Sequence, residues 1–471
     1  MVREARPSLV KRFLIGAALV VFASASATAI AAFHEVDKVV NALKSNPRLR
    51  LGRELAPSSP GKPQTLMLLG SDKRPKNSGD PAAAGARSDT IMLVRLDPSK
   101  KAIALLSLPR DLRVTIPGHG LDKLNAAYDI GGPRLTLKTV KELTGLRINH
   151  VVNVDFRGFW AAVDAIGCVY ADIDRRYYNN TPGFAYINIQ PGYQRLCGRQ
   201  ALQYVRYRHE DNDLVRSARQ QDFLRQAKQQ IATSELINDR DRLLRIFGHY
   251  TTSDIRSRKE VIRLIKLAVY SVGQPIREVH FHGRIGLSYV TATPEQIHKL
   301  VNQFLGLEQS HGPRATLHHG RRPSNLELEN AAAAGKDQAT QATHQGTGGK
   351  LAVYYPVMRT AGSIYEGPPG VYRIRAIDGK RYPAYRMVLN RGLPGEYYGI
   401  QGTTWMSPPI LQDTSDRRTI GGRTYELHWD GDRLRLIAWR TRKAVYWISN
   451  TLLLSLSDRQ MIAIAKSARR L

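Results

Sequence analysis

The chain has 471 residues, of which 42% are hydrophobic, so it can form more than one domain and bury a sizeable core. Lysine and arginine number 70 against 40 aspartate and glutamate, and this net charge of +30 indicates anionic partners such as nucleic acid, anionic lipid, pyrophosphate or an acidic polymer. There are only two cysteines, without a CxxC or a Cys/His cluster, which excludes the common zinc-binding modules.

The N-terminal segment is typical of a membrane anchor. Four basic residues precede an uncharged apolar run from Phe13 to Phe33, which is long enough to cross a bilayer core of roughly 30 Å. Because basic residues favour the cytoplasmic side, we predict a single-pass cell-membrane protein in which residues 1–34 form a cytoplasmic tail and transmembrane anchor. Ala-x-Ala sites such as Ala25 to Ala27 leave a cleaved signal peptide as an alternative. In either case the remainder is extracytoplasmic, which argues against nucleic acid as the partner.

The region after the anchor divides into a linker and an α/β domain. Residues 35–64 combine a short predicted helix with a Pro/Ser-rich stretch and are predicted to be a juxtamembrane linker. Over residues 65–307, strands and helices mix without a strict repeat, which favours an α-β-α sandwich with a mixed central sheet. The elements used below are predicted at Thr65–Gly70, Thr90–Leu96, Ala102–Leu108, Asp122–Leu143 (a helix broken near Gly131), Gly198–Tyr204 and Asp213–Ile231.

Both cysteines, Cys168 and Cys197, fall in this predicted domain. Outside the cytosol a disulfide between them is expected, and it would stabilise the fold by roughly 3–4 kcal/mol in the chain-entropy model. Two separate buried thiols are the alternative.

The C-terminal third changes in composition. Gly, Ala, Gln, His and Thr dominate residues 308–350, which are predicted to be a flexible linker. Residues 351–471 contain Asp-Gly turns at Asp378 and Asp430 between strand-like runs, and a final helix from Asp458 to Arg470 that Ser457 caps. We therefore predict a small C-terminal α+β domain of unassigned role. Its tryptophans are expected in the core rather than on a sugar-binding surface: Trp405, Trp429, Trp439 and Trp447.

Two acidic residues frame the first two strands of the α/β domain. Asp72 follows one strand and Asp89 begins the next. Carboxylates from adjacent strands can share a Mg²⁺ ion, which completes its shell with phosphate and water. The alternative is that each aspartate only caps a turn or pairs with an arginine.

Several arginines accompany these acids. Arg87 and Asp89 are two residues apart and face the same side of an extended chain. Arg206 and Arg208 share a face if residues 205–209 are extended, whereas they diverge in a helix. The spacing of Arg216, Arg219 and Gln220 places them together on one helical face.

The planar, always charged fork of arginine suits phosphate oxygens, so the inferred ligand is a pyrophosphate. No Walker sequence and no GxSxG elbow are present, which argues against an NTPase and a serine hydrolase. Phosphoryl transfer instead requires that the protein position the substrate, neutralise the negative charge of the phosphates, and place the acceptor in line with the bond that breaks.

Five short motifs in order resemble the LytR-CpsA-Psr family. They are Gly-x-Asp, Arg-Ser-Asp-Thr, Ser-x-Pro-Arg-Asp, Lys-x-Asn-x-Ala-Tyr, and an Arg-x-Arg…Asp-x-x-Arg-x-x-Arg-Gln-Gln block, between Leu69 and Gln221. The resemblance covers Thr65 to Leu307. It implies a membrane-anchored phosphotransferase that takes a glycopolymer from a polyprenyl-pyrophosphate carrier and attaches it to peptidoglycan through a phosphodiester bond.

The resemblance also implies roles for residues. Asp72 and Asp89 would bind Mg²⁺, with Mn²⁺ as a substitute, and Asp111 would order the arginines. The implied partners are the polyprenyl-pyrophosphate-linked glycan, the peptidoglycan acceptor and the membrane, without nucleic acid. The residues implied in catalysis are Asp72, Arg87, Asp89, Arg110, Arg206 and Arg208, and those implied in substrate binding are Arg87, Arg110, Asp111, Lys123, Arg206, Arg208, Arg216, Arg219, Gln220 and Gln221.

Two features depart from the family pattern. Residues 73–86 are rich in Gly, Pro and Ala, and the C-terminal domain resembles extensions of some actinobacterial members. The family has a lipid channel inside the domain, for which the apolar faces of Leu135–Leu146, Phe159–Ile166 and Phe223–Ile231 are candidates, with core packing as the alternative. The rival functions are a pyrophosphohydrolase that uses water as acceptor, and a non-catalytic envelope regulator or binding protein.

Overall fold

The computed structural model describes most of the chain from residue 48 onward. The described residues are 37, 38, 40, 41, 44, 48–71, 88–100, 102–181, 186–207, 210–231, 250–272, 276–281, 283–286, 288–308, 326–347, 349, 351–412 and 414–471. The predicted tail and anchor lie outside them. Within the described ranges, no helix has both the length and the apolar character needed to span a membrane.

The first domain lies between residues 48 and 308. Its helices are α1 (Ala126–Thr144), α2 (Phe156–Ala165), α3 (Gly198–Arg206), α4 (Asp213–Ile231), α5 (Arg258–Val272) and α6 (Pro294–Leu305). Its strands are β1 (Gln64–Ser71), β2 (Ser88–Asp97), β3 (Ala102–Leu108), β4 (Arg113–Ile116), β5 (Gly120–Lys123), β6 (His150–Asp155), β7 (Val169–Ile173), β8 (Tyr177–Asn179), β9 (Ile187–Ile189), β10 (Gly192–Leu196), β11 (Thr251–Ser253), β12 (Ile276–Val279), β13 (Arg284–Ile285) and β14 (Val290–Thr291).

The central sheet is mixed, as the sequence predicts. Its order through the described residues is β11-β6-β1-β2-β3-β12. Strand β1 runs parallel to β6 and β3 runs parallel to β12, whereas the other neighbours are antiparallel.

Alternation along β1 sends side chains to both faces of this sheet. Met67 belongs to the main core, which also contains Leu137 of α1 and Phe304 of α6. Leu68, the next residue, packs with a smaller cluster that includes Val261 of α5. Helices therefore cover both faces, which confirms the predicted α-β-α sandwich.

The predicted helix from Asp122 begins later than expected. Asp122 and Lys123 lie on β5, which pairs with β4, and α1 begins at Ala126. The expected break is present, because Gly131 and Gly132 have non-helical backbone angles, and Gly132 has a φ of +60° that favours glycine.

The predicted juxtamembrane linker packs on the first domain from residue 48 onward, so the domain boundary at residue 65 is wrong. Leu51 is buried in the main core, and the amide of Ala56 donates to the carbonyl of Ile148 over 2.8 Å. Asn149 donates to the carbonyls of Ala56 and Pro57 over 3.3 and 3.1 Å. Leu51, the partly buried Leu49 and Leu55, and these hydrogen bonds hold a stretch that has no periodic pattern in the sequence.

Helix α4 is polar in sequence but buried in the fold. Gln230 both accepts from the amide and donates to the carbonyl of Tyr170, each over 2.8 Å. Gln226 accepts from the amide of Asp172 over 3.1 Å. Strand β10 pairs with one edge of β7. These side-chain amides therefore hydrogen-bond the other edge of β7.

Cys168 and Cys197 form the predicted disulfide, so the alternative of two separate thiols is wrong. The bond ties the residue before β7 to the residue before α3. It closes a covalent loop across a sequence separation of 29 residues.

Replacing both cysteines, as Cys168→Ala with Cys197→Ala, is expected to lower the free energy of unfolding by about 3–4 kcal/mol, because the unfolded chain regains the entropy of that loop. Urea unfolding of the oxidised wild type and the double variant measures the difference. Reduction of the wild type should reproduce the loss, and a difference below about 1 kcal/mol would contradict the loop-entropy account.

The second domain is rich in strands. Its helices are α7 (Ala332–Ala342) and α8 (Asp458–Lys466). Its strands are β15 (Leu328–Asn330), β16 (Tyr354–Pro356), β17 (Met358–Thr360), β18 (Ile364–Tyr365), β19 (Gly370–Arg375), β20 (Arg381–Asn390), β21 (Tyr397–Thr403), β22 (Asp416–Ile420), β23 (Arg423–Asp430), β24 (Arg433–Arg440), β25 (Val445–Ser449) and β26 (Ala468–Arg470).

Both predicted hairpins of this domain are confirmed. Strands β19 and β20 pair across the Asp378-Gly379 turn, and β23 and β24 pair across the turn after Asp430. Ser457 caps α8 as predicted, but the helix ends at Lys466, since residues 468–470 pair with β16. Trp439 and Trp447 are fully buried, which supports the core interpretation for these two.

The predicted flexible linker over residues 308–350 is wrong for residues 326–347. Strand β15 pairs with β17, and Ala339 and Ala342 of α7 lie in the core of the second domain. A Cβ at Gly335 would lie 2.8 Å from the ring of Tyr355. The small residues typical of a linker are therefore the ones that let α7 lie directly against the strands.

The two domains share a buried interface. Tyr193 of β10 packs in one apolar cluster with Trp447 and other residues of the second domain. Its amide donates to the hydroxyl of Tyr372 over 2.7 Å, and Arg386 pairs with Asp172 over 3.3 Å. The second domain is therefore fixed against β7 and β10 of the first.

Candidate functional site

The ends of β1 and β2 carry the two acidic motifs. The register passes from Gly70 opposite Thr90 to Ser71 opposite Ser88, so Asp89 is the extra residue of a β-bulge. Bulges redirect side chains and are common beside functional sites. Asp72 comes directly after Ser71 in sequence, and its own position lies outside the described residues, as do Arg87 and Arg208. Of Asp89 only the backbone is described.

The first turns of α4 bring the other motifs to this edge of the sheet. Asp213 accepts a hydrogen bond from the amide of Arg110 over 2.7 Å. Gln220 donates to the hydroxyl of Thr90 and to the carbonyl of Val205, each over 3.1 Å. Segments that are far apart in sequence, at residues 90, 110, 205 and 213–220, therefore meet.

Arg110, Asp111 and Lys123 form a charged row beside this junction. Asp111 lies 3.2 Å from Nζ of Lys123 and 3.8 Å from Nε of Arg110. The ammonium of Lys123 also lies 5.5 Å from the ring centroid of Tyr289. These contacts place Asp111 between two cations, one arginine and one lysine, and the ordering role that the resemblance implies for it stays a prediction.

Arg206 is the last residue of α3, so the extended alternative for residues 205–209 is wrong at this position. Its guanidinium lies 4.0 Å from the ring centroid of Phe156, the first residue of α2. The ring contacts the cation at the end of the helix, and the preceding residue, Val205, carries the carbonyl to which Gln220 donates.

Arg219 is enclosed rather than presented to a ligand. Its side chain is fully buried, pairs with Asp211 and donates to the carbonyl of Tyr207. The rings of Tyr177 and Tyr204 lie 4.9 and 5.5 Å from it. Its pKa is raised, because the attraction of Tyr177 and Asp211 outweighs the effect of burial, which by itself lowers it. The substrate-binding role implied for Arg219 is therefore not supported by its position.

Arg216 and Gln221 are buried as well. Arg216 pairs with Asp213, and Gln221 donates to the carbonyl of Val279 in β12 over 3.3 Å. The predicted shared face of α4 exists, but it faces other parts of the fold instead of solvent. The substrate contact implied for Arg216 and Gln221 therefore stays a prediction, and in the structure both side chains are engaged within the fold.

Sequence reasoning missed the ion pair between Arg175 and Asp211, which holds the chain between α3 and α4 in place. Arg175 bonds Asp211 over 3.0 Å and lies 5.2 Å from the ring of Tyr397 in the second domain. Asp211 thus joins Arg175 and Arg219. No local pattern marks Arg175, because its partners are distant in sequence. Asp213, in contrast, stands in the recognised Asp-x-x-Arg motif.

Burial raises the pKa of two groups near the junction. It raises the pKa of Asp213, which Arg216 partly offsets. It also raises the pKa of Tyr128, whose hydroxyl donates to Asn153 over 3.1 Å. Tyr128 therefore remains a neutral hydrogen-bond donor across the physiological range.

The faces proposed for a lipid channel pack in the cores of the first domain. Leu137 and Val140 of α1 belong to the main core. Phe159 of α2 and Phe223 of α4 face each other with ring centroids 6.0 Å apart. In this structure these residues therefore take part in core packing, which is the alternative to a lipid channel.

Gln220→Ala should weaken the junction, because the variant loses the two hydrogen bonds that the buried Gln220 amide donates to Thr90 and Val205. We expect a loss of about 1–3 kcal/mol in the free energy of unfolding. Gln200→Ala, at an exposed position on α3, is the matched control. Urea unfolding measures both, and equal losses would show that the bonds of Gln220 contribute nothing specific.

Comparison with known proteins assigns the chain to a family. A family model described as LytR_cpsA_psr family matches residues 20–296, more than half of the chain. The chain belongs to the LytR-CpsA-Psr family. The match contains the five motifs, the junction at α4 and the central sheet.

Two relatives and one solved structure illustrate the similarity. The polyisoprenyl-teichoic acid–peptidoglycan teichoic acid transferase TagU of Oceanobacillus iheyensis is 31% identical over 251 residues, which cover 51% of this chain and 75% of the relative. The transferase of that type named TagT in Bacillus subtilis is 37% identical over 171 residues, which cover 35% of this chain and 52% of the relative. The crystal structure of B. subtilis TagV is 24% identical, with a TM-score of 0.44, and the match covers 53% of this chain and 98% of that one.

Proposed function

We propose that this LytR-CpsA-Psr protein transfers a glycopolymer from a polyprenyl-pyrophosphate carrier onto peptidoglycan through a phosphodiester bond. The observation that carries the proposal is the junction at α4, where Asp213 and Gln220 bond the motif segments at Arg110, Thr90 and Val205. Family membership and the names of the relatives, which are teichoic acid transferases, support the same reaction class.

In this reaction a hydroxyl of a wall sugar attacks the phosphorus that bears the glycan. The new phosphorus–oxygen bond joins glycan phosphate to the wall, the bond to the carrier phosphate breaks, and polyprenyl phosphate leaves. The proton of the hydroxyl passes to a carboxylate of the site or to water. Arg110, Lys123 and Arg206 neutralise the pyrophosphate, and Asp111 holds the first two in place.

We propose Asp72 and Asp89 as the residues that would hold Mg²⁺, with Mn²⁺ as a substitute. The β1–β2 register supports this pairing, since Asp89 is the bulged residue opposite the end of β1 and Asp72 follows that end. Carboxylate oxygens are the ligands that this hard cation prefers. When bound, the cation supplies charge neutralisation to the pyrophosphate oxygens.

The proposed location is the outer face of the cell membrane, with the N-terminus in the cytoplasm. The uncharged run from Phe13 to Phe33 supports an anchor, and the Cys168–Cys197 disulfide supports an oxidising compartment. The lipid carrier and peptidoglycan are both reached from that side.

Ligation of a lipid-linked glycan to wall fragments in the presence of Mg²⁺ tests the function of the full-length protein in vesicles. We expect covalent, carrier-dependent ligation by the wild type and a loss of at least about a hundredfold in Asp89→Ala. Asp129→Ala, an exposed residue of α1, is the control and should ligate at the wild-type rate.

Two other outcomes of this ligation assay would replace the proposed transferase function with a rival function. Release of free phosphorylated glycan without any need for wall fragments would identify a pyrophosphohydrolase. Binding of the lipid-linked glycan with neither ligation nor release would identify a binding or regulatory protein.

A further inference from the structure

A buried cavity between the two domains contains a second cluster of ligand-type side chains, distinct from the residues of the α4 junction. Its volume is about 40 Å³, enough for an ion and a water molecule. Glu278 and His280 come from β12 and the residue after it, and Asp430 ends β23 of the second domain. One ligand atom from each of the three lies within 4.8 Å of the other two.

His280 is the residue that points to a ligand. Its side chain is only 6% exposed, and among the described residues its Nε2 has no hydrogen-bond partner. That nitrogen lies 3.8 Å from a carboxylate oxygen of Glu278 and 3.7 Å from one of Asp430. A buried ring nitrogen without a partner is costly, so something should lie between these three groups.

The distances from His280 to the two carboxylates distinguish a metal ion from the other candidate occupants. Two ligands of a tetrahedral ion, each about 2.1 Å from it, stand roughly 3.4 Å apart. Two groups bonded to one water at about 2.8 Å with a tetrahedral angle stand roughly 4.6 Å apart. An imidazolium hydrogen-bonded to a carboxylate would approach to about 2.8 Å. The observed 3.7 and 3.8 Å are closest to the metal case.

The surroundings also favour a cation. Nε of Arg225 donates to the first oxygen of Glu278 over 2.9 Å, while the second oxygen is the one that faces His280. Such outer contacts orient metal ligands. Five carboxylates and three guanidiniums line the cavity, so a divalent cation would balance the excess of negative charge.

We propose that Glu278, His280 and Asp430 bind a divalent transition-metal ion of the Zn²⁺ class, which fastens the second domain to the first. The imidazole ligand selects against Mg²⁺ and Ca²⁺, which prefer oxygen. Two ligands come from the first domain and one from the second, so bound metal adds to the stability of the interface.

Cobalt(II) titration of metal-stripped full-length protein, with excess Mg²⁺ to occupy oxygen-only sites, tests the proposal. We expect visible d–d absorption that saturates at one equivalent and is displaced by Zn²⁺. His280→Gln and Asp430→Asn should each weaken binding at least tenfold. The controls are His298→Gln on α6 and Asp416→Asn on β22, both at sites away from the cavity, and they should titrate like the wild type.

A thermal measurement keeps the test independent of how well the variants fold. Zn²⁺ should raise the melting temperature of stripped wild-type protein and of the Asp416→Asn control, but not of Asp430→Asn. Absence of stoichiometric Co²⁺ absorption in the wild type, or unchanged absorption in both ligand variants, would overturn the proposal. In the first case a water molecule, and not a metal ion, would be the occupant of the cavity. Neither result bears on the ligation assay, because these residues are separate from the α4 junction.

Discussion

Arg219→Met is expected to destabilise the protein by about 3–5 kcal/mol, because it leaves a buried carboxylate without its nearest cation. Asp211 has a fully buried side chain and pairs with Arg219, while Arg175 supplies a second contact at 3.0 Å. That second contact limits the loss, so the lower part of the range is expected. Urea unfolding of the oxidised protein measures it.

The control for this variant is Arg199→Met. Arg199 is exposed on α3 and lies 5.1 Å from the ring centroid of Trp160, so its replacement removes a cation and a ring contact without uncovering a buried charge. Its loss should stay near 1 kcal/mol or less. Adding Asp211→Asn to Arg219→Met should cost less than the sum of the single losses. A loss below about 1 kcal/mol in Arg219→Met would show that the pair does not support the fold.

Arg206→Ala should lower the rate of glycan ligation by about 10²–10³-fold, since it removes a positioned cation from the proposed pyrophosphate site. The expectation rests on the location of Arg206 at the end of α3, over Phe156 and next to the carbonyl that Gln220 binds. Arg206→Lys keeps the charge but not the planar fork, so an intermediate rate is expected. Initial rates at saturating substrate give the comparison.

Arg199→Ala provides a matched control for this variant too. Both arginines belong to α3, and both lie over an aromatic ring of α2. The two replacements should therefore reduce stability by a similar amount, about 0.5–1 kcal/mol, while only Arg206→Ala reduces the rate. A wild-type rate in Arg206→Ala would remove this residue from the proposed site.

The sequence by itself determined the elements whose signals are local. The apolar strands of the central sheet, both Asp-Gly hairpins and the cap at Ser457 follow from alternation, turn chemistry and capping, which act between neighbours in the chain. The disulfide followed from the number of cysteines and the expected compartment. The order of the five motifs was enough to indicate the family.

Only the tertiary structure decided the roles of the polar residues of α4. The sequence places Arg216, Arg219 and Gln220 on one face, which is equally compatible with a ligand site and with burial. In the fold Arg216 pairs with Asp213, and Gln220 donates to Thr90 and Val205. Arg219 pairs with Asp211 and donates to the carbonyl of Tyr207.

The same holds for the segment around α7 and for the cluster at Glu278, His280 and Asp430. Small residues are typical of linkers, but Gly335 is small because Tyr355 lies against it. Asp430 is separated from Glu278 and His280 by about a third of the chain, and the three meet only where two domains join. Whether a charge is buried and paired depends on groups remote in sequence, and local propensity carries no information about them.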